Sequence, residues 1–452
     1  MTGKERILNV MNRKTSDVVP WVPFAGIHAG KLLGLNARQV LKNADMLFES
    51  LMKVNEIYLP DGQPVIFDLQ VEAEILGCEL MWPEDSPPSV VSHPLADEFI
   101  IPDKLPETGD GRIPLILDVM RRMKRSVGTE TALYGLICGP LTLATHLRGS
   151  ELFMDTYVQE DKVRDLILYC TRVAKRMADM YIEAGMDVIA VVDPVISQIS
   201  PEMFVTFLDE PLRDLFQYIK DKNTFSSLFV CGDATKNMDV MCHTKPDMIS
   251  IDENIDMFAA KKICDAHRIV IGGNIPLTTV MLLGSQLDNI QFIIEFLENI
   301  DHKNLIISPG CDMPYDTPIE NVVGIMDAIR NPEAAKRLLE NYTKVEPDID
   351  ILLPDYEHLS RPLIEVFTVD SAACAACAYL KEAATRLIPV FGEAIEVKEY
   401  KITEAENVAR VRKLGVKNLP SIYVNGQLYV SSIIPDHREF VDIIRQLLNT
   451  KS

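Results

Sequence analysis

From residue 20 to about residue 330, short apolar runs that end in Gly, Asp or Cys alternate with amphipathic stretches, and this alternation constrains the fold more than any other property of the chain. The helical period is plainest over residues 161–184. There Val163, Leu166, Ile167, Cys170, Val173, Ala174, Met177, Ala178 and Tyr181 recur on one face, and Gly185 stops the helix. "MDVIAVVDP" follows as a short buried strand. "WVPFAG", "PVIFDL", "ALYGLICG", "SSLFVCG", "DMISID", "RIVIGGN" and "NLIISPG" read the same way. Eight such runs separated by helices over roughly 310 residues predict parallel β/α units closed into a (β/α)8 TIM barrel with loop extensions. An open doubly wound sheet is the alternative, but no GxGxxG opens a helix after the first run.

A chain of 452 residues exceeds one ordinary domain, and 47% hydrophobic with 25% charged residues describes a globular protein with ample core. A net charge of −21 leaves no basic surplus for nucleic acid or anionic lipid. "MTGKERILNVMNRK" lacks the apolar centre of a signal peptide, and no apolar run approaches the ~20 residues of a membrane span, so a cytoplasmic address is expected. In that reducing setting the nine cysteines read as core residues, metal ligands or redox thiols rather than as a disulfide scaffold.

Barrel chemistry gathers at the C-terminal ends of the strands, which here carry His28, Asp68, Cys138, Asp193, Cys231, Asp252 with Glu253, Asn274 and Cys311. Cys170 and Cys264 sit on apolar helical faces and read as packing. Cys138, Cys231 and Cys311 each lie beside a glycine at a strand end, facing the barrel mouth. Two thiolates converging there would favour zinc, since open catalytic zinc sites use about three protein ligands. The spacing of Cys231 and Cys311 forms no local signature.

After the barrel, "RNPEAAKRLLENYTKVEPDIDILLPDYEHLSRP" passes from a polar helix to an acidic, proline-containing connection. The division expected is a barrel over residues 1–344, a linker over 345–361 and a second domain over 362–452. That second domain reads β-α-β-α-β-β-α, with "PSIYVNGQLYV" as a hairpin through Asn425-Gly426. It resembles the thioredoxin/glutaredoxin fold. Cys374-Ala-Ala-Cys377 opens its first helix, and Pro420 stands where that fold carries a cis-proline. The resemblance implies redox chemistry, with Cys374 as the low-pKa nucleophile and Cys377 resolving the mixed disulfide.

Over residues 3–340, "FDLQVEAEILGCELMWPEDSPPSV", "CGPLTLATHLRGSE", "IEAGMDVIAVVDPVIS", "CGDATKNMD", "ISIDENIDM", "GGNIP" and "SPGCDMPYDTPIENV" resemble the uroporphyrinogen decarboxylase superfamily, most of all its corrinoid methyltransferase branch. The decarboxylase grips a many-carboxylate porphyrin through arginines in an N-terminal "RQAGRY"-type segment. The equivalent "VPFAGIHAGKL" has none, and Gly310 is followed by Cys311 rather than histidine.

The branch implies zinc-dependent methyl transfer between a corrinoid, either methylcobalamin or a corrinoid protein, and a thiol or other small donor or acceptor. Zinc there is held by a His-x-Cys pair and a cysteine after the last strand. Cys231 and Cys311 match, but Phe229 replaces the histidine. Glu72, Asp68, Asp252 and Cys138 are the replacement ligands to consider. Glu72 is preferred because it lies one turn beyond Asp68 if a helix begins there, while its plain reading is a solvated first helical turn. His28 and His243 are further candidates, although "VMCHTKPD" places His243 on the far side. Asp68 and Asp193 are the catalytic candidates, and His28, Cys138, Asp252 and Asn274 the substrate-binding ones. The superfamily's dimers make a homodimer the oligomer expected. Two other functions stay open: uroporphyrinogen decarboxylase itself, and a thiol-disulfide protein with a non-catalytic barrel. The sequence also raises the expectation that the C-terminal cysteine pair keeps Cys231 and Cys311 reduced.

Overall fold

The structure, a computed structural model, describes residues 1–343, 349–371 and 375–449. Seven parallel strands pair in chain order: β1 (Gly62–Pro64), β2 (Ala132–Cys138), β3 (Val188–Val192), β4 (Phe225–Val230), β5 (Met248–Ile251), β6 (Val270–Ile275) and β7 (Leu305–Pro309). The run "PVIFDL" contributes only Pro64, the last residue of β1, and "WVPFAG" is not an eighth strand. Pro20 and Pro23 bring no N–H to a ladder, so a single bridge, Trp21 to Ile307, takes the strand's place. Val22 N donates to Ile307 O (2.9 Å) and Ile307 N to Pro20 O (2.8 Å), while on the other side Asp61 N donates to Trp21 O (2.9 Å). These bonds join β7 to β1 and curl the sheet into a barrel.

Both faces of the strands are buried, which is why the runs are continuously apolar rather than alternating. Val188, Ala190 and Val192 of β3 face an inner cluster with Phe24, Phe67 and Phe229. Ile189 and Val191 join the larger outer cluster under the helices. The helix Glu160–Glu183 buries Val163, Leu166, Ile167, Cys170, Val173, Ala174, Met177, Ala178 and Tyr181, as its period predicts, and the chain turns at Gly185 with φ +99°. Cys264 is likewise buried.

A second sheet comprises β8 (Leu363–Thr368), β9 (Glu396–Lys401), β10 (Ser421–Val424) and β11 (Gln427–Ser431), in the order β9-β8-β10-β11. β8 and β9 are parallel; β10 runs antiparallel to β8 and to β11. Asn425 (φ 48°) and Gly426 (φ 77°) make the two-residue hairpin loop that this dipeptide favours. The helices Ala375–Thr385, Ala405–Leu414 and His437–Asn449 complete the unit, whose core is built on Ile364, Val366, Leu380, Ile422 and Phe440. The Leu419–Pro420 bond is cis. Among the described residues, no helix is long and apolar enough to cross a membrane.

The helix Ala375–Thr385 lies against the barrel. Tyr379 packs within the barrel's own outer cluster, and its hydroxyl meets His146 Nδ1 at 2.9 Å. Gln198 Nε2 donates to Ala376 O at 2.5 Å, and Arg386 pairs with Glu151 at 3.1 Å.

Candidate active site

Cys231 directly follows β4 and Cys311 follows β7 after Gly310. The curl of the sheet brings these two strand ends together although they are 80 positions apart, and the two residues form a disulfide with Cα atoms 5.8 Å apart. Glycines permit the approach. Gly232 takes φ +92°, and a Cβ on Gly310 would lie 2.7 Å from Glu253 N. The pair opens into a cavity of about 350 Å³, which Asp252, Asp312 and Tyr315 also line. Val369, Asp370 and Thr403 of the second unit form part of the same wall.

Phe229, two residues before Cys231 and so on the same face of β4, points into the barrel. Its ring lies 4.8 Å from that of Phe24 and 5.9 Å from that of Phe67. Three aromatic rings therefore fill the space beneath the cysteines where the resemblance implies an imidazole.

Of the remaining expected residues, Asp252 shares the cavity with the cysteine pair. Its Oδ1 accepts from Asn254 N (2.9 Å), and burial raises its pKa. Asn274 lies behind it, donating to Asp252 O (2.9 Å) and Ile255 O (2.8 Å), and so fixes the loop after β5. His28 is fully buried between Tyr315 O (3.0 Å) and the Tyr58 hydroxyl (2.7 Å); burial lowers its pKa to about 4, so it is neutral. It anchors the loop that carries Tyr315.

Asp68, Glu72, Cys138 and Asp193 do not line that cavity. The helix expected to begin at Asp68 begins at Val71, so Asp68 and Glu72 do not share a helical turn. Asp68 instead accepts from Gln70 N (2.9 Å) and pairs with the buried Arg112 guanidinium at 2.5 Å. Arg112 also reaches Glu74 at 2.7 Å. Glu72 is buried rather than solvated. It accepts from Cys138 N (3.0 Å), and desolvation raises its pKa to about 7. Cys138 is enclosed with its pKa pushed up by burial, which keeps it a thiol.

Asp193 caps the helix Pro140–Arg148, accepting from Leu141 N (3.0 Å), Thr142 N (2.9 Å) and Thr142 Oγ1 (2.6 Å). Burial raises its pKa to about 6. Any side chain at Gly139 would run into it. His243 is far from the mouth, near Asp239 and His267, and its neighbour Cys242 is buried. Cys374 lies outside the described residues, whereas Cys377 is buried in the docked helix.

Sequence reasoning missed Asp312, Tyr315 and Arg112. Asp312 was within reach, since it follows Cys311 in "PGCDMPYD". It accepts from Gly26 N (2.7 Å), and desolvation raises its pKa to about 8. Arg112, 44 positions from Asp68 and outside any strand-like run, gave no such signal.

Reduced, the cysteine pair carries the donor type that zinc accepts, although the one group of three metal-capable side chains whose ligand atoms lie within 4.8 Å of one another among the described residues is Asp239, His243 and His267, away from this mouth. The two sulfurs would supply a soft pair, and Asp252 and Asp312, which line the same cavity, carry the hard oxygens that zinc also accepts.

The sequence profile for uroporphyrinogen decarboxylase (URO-D) matches residues 2–332, and the chain belongs to that family. It is similar to the methylcobamide:CoM methyltransferase MtbA of Methanosarcina acetivorans, 24% identical over 338 residues that span 73% of this chain and 98% of the relative. MtaA of Methanosarcina barkeri is 27% identical over 337 residues, covering 72% and 97%. Uroporphyrinogen decarboxylase of Trichodesmium erythraeum is 24% identical over 294 residues, covering 63% and 82%. A solved methyltransferase from Methanosarcina mazei shares the fold, with a TM-score of 0.67 at 23% identity, over 74% of this chain and 99% of that one. The second sheet lies beyond the residues that the family profile matches.

Proposed function

We propose that this protein is a zinc-dependent methyltransferase that moves a methyl group between a corrinoid and a small thiol or other acceptor or donor, and that its C-terminal unit is a thioredoxin-like dithiol domain. The observation that carries the reading is the meeting of Cys231 and Cys311 at the mouth of a barrel whose relatives include methylcobamide:CoM methyltransferases. Cys231 and Cys311, as thiolates, would hold zinc, with Asp252 or Asp312 as the oxygen donor instead of the histidine that Phe229 replaces. Bound zinc keeps an acceptor thiol deprotonated at neutral pH, or polarises the heteroatom of a methyl donor.

The protein's own residues do the rest. The cavity, at about 350 Å³, is near the lower end of the range for small-molecule sites, so it suits the small partner. Tyr315, fixed through its carbonyl by neutral His28, shapes one wall, and Asn274 holds the Asp252 loop. Asp68 and Asp193 act as positioning residues: one is spent on Arg112, the other on a helix N-terminus.

The decarboxylase reading is weaker. Its catalytic aspartate would correspond to Asp68, which is buried against Arg112 rather than facing the cavity. The test is to incubate purified protein with methylcobalamin and a panel of small thiols, follow the visible spectrum, and measure zinc by elemental analysis. Cys311→Ala should lose both zinc and turnover. Normal turnover by a preparation shown to be metal-free would overturn the proposal.

A further inference from the structure

With Cys231 and Cys311 joined as a disulfide, neither sulfur can serve a metal or a substrate, so the proposed methyl transfer requires a two-electron reduction at the mouth. The remainder of the structure places a candidate reductant there. The segment Pro194–Gln198 touches both partners. Ser197 Oγ lies 2.7 Å from where a Cβ on Gly232, the residue after Cys231, would stand, and Gln198 binds the carbonyl of Ala376, the residue before Cys377. Tyr379, half a turn beyond Cys377, is buried in the barrel's core with its hydroxyl on His146. Val369 and Asp370, which directly follow β8, line the same cavity as Cys231 and Cys311. The unit carrying Cys374-Ala-Ala-Cys377 is therefore seated on the mouth that holds the disulfide.

We infer that the C-terminal dithiol is an intramolecular reductase for the Cys231–Cys311 disulfide. This activity is additional to methyl transfer, and it rests on the reading of those two cysteines as the working thiols. Cys311 is the more exposed of the two sulfur-bearing residues, so the attack falls there. The Cys374 thiolate forms a bond to Cys311 Sγ, the Cys231–Cys311 bond breaks, and Cys231 leaves as a thiolate. Cys377 Sγ, giving up its proton, then attacks Cys374 Sγ and releases the Cys311 thiolate. Two electrons and two sulfur–sulfur exchanges balance: the barrel pair ends as a dithiol and the C-terminal pair as a disulfide. A diffusible dithiol of the thioredoxin class, acting on Cys374–Cys377, restores the cycle.

The test reads thiol state and needs neither corrinoid nor zinc, so it can fail while the methyl-transfer reading stands, or the reverse. Full-length Cys377→Ser, oxidised mildly and then given limiting reduced thioredoxin, should accumulate a Cys374–Cys311 cross-linked peptide, seen by mass spectrometry of a non-reduced digest. Differential alkylation should show wild-type Cys231 and Cys311 reduced about a hundredfold faster than in Cys374→Ser, since tethering replaces a dilute collision with a millimolar effective concentration. Circular dichroism confirms that each variant is folded. Absence of the cross-linked peptide together with equal reduction rates in wild type and Cys374→Ser would overturn the inference. A cross-link to any cysteine other than Cys231 or Cys311 would overturn it as well.

Discussion

Replacing Phe229 by histidine puts the imidazole that the methyltransferase branch implies on the inner face of β4, two residues before Cys231. The structure sets the cost. The Phe229 ring is fully buried, 4.8 Å from Phe24 and 5.9 Å from Phe67. Loss of two such ring pairs costs about 0.5–1.5 kcal/mol each. Burying an imidazole that has no partner costs about 1–3 kcal/mol more. The metal-free variant should therefore be less stable than wild type by roughly 2–6 kcal/mol in urea unfolding. The gain appears only with zinc. A third ligand beside two thiolates should tighten zinc about tenfold or more, or ~1.4 kcal/mol per decade, and binding to the native state alone converts that gain into stability. The assay is paired: urea unfolding of the reduced protein with and without zinc, and competition for zinc against a coloured chelator. If Phe229→His loses stability without zinc and binds zinc no more tightly than wild type, the metal does not sit above Phe229, and the assignment to Cys231 and Cys311 fails.

Three further outcomes are expected. Arg112→Met leaves the buried Asp68 carboxylate unpaired and should cost about 3–5 kcal/mol by thermal or urea unfolding, whereas adding Asp68→Asn should recover much of the loss. Asp193→Ala strips three hydrogen bonds from the start of the helix Pro140–Arg148 and should lower stability by about 1–3 kcal/mol, with zinc content unchanged in the protein that remains folded. His28 carries a pH signature. Its folded pKa of about 4 lies below the unfolded 6.5, so between those values the unfolded chain binds a proton that the native chain does not, and stability falls as the pH falls. At pH 5 the His28 contribution is a loss of about 2 kcal/mol relative to pH 7. Unfolding of His28→Gln at the two pH values should show a correspondingly flatter acid limb, and an unchanged slope would refute the assignment.

Legibility in the sequence followed the range of the interactions. The strands β2 to β7 were readable because both faces are buried, which forces each into an uninterrupted apolar run. "WVPFAG" carried the same composition, but its prolines removed the donors a strand needs, and a hydropathy reading does not count donors. Cys231 and Cys311 could be singled out because the barrel topology itself sends their strand ends to one mouth, across 80 positions. The roles of the acids could not be separated that way. Asp193 and Asp252 both end strands, yet one is consumed by a helix N-terminus and the other lines the cavity. That difference depends on which backbone amides arrive from the neighbouring loop. The partners of Asp68 and of Tyr379, respectively 44 and 233 positions away, are set by tertiary packing with no local trace.

The same contrast bears on how the two units work together. A flexible tether alone would leave the C-terminal helix sampling many positions, and its dithiol would meet the barrel only at the concentration the linker sets. Tyr379 removes much of that freedom, because its hydroxyl loses water when the ring enters the barrel core and only His146 replaces it. Removing the hydroxyl leaves His146, whose pKa burial already lowers to about 3, with both ring nitrogens unpartnered. Tyr379→Phe should therefore loosen the docked state by about 1–3 kcal/mol while leaving the fold of either unit intact. Hydrogen exchange can read this directly. Protection should fall in the segment Pro194–Gln198 and in the helix Ala375–Thr385 together, and remain in β2 to β7. Loss of protection in the helix alone would mean that the Gln198 contact does not depend on Tyr379, and the seating of the C-terminal unit on the mouth would then need another anchor.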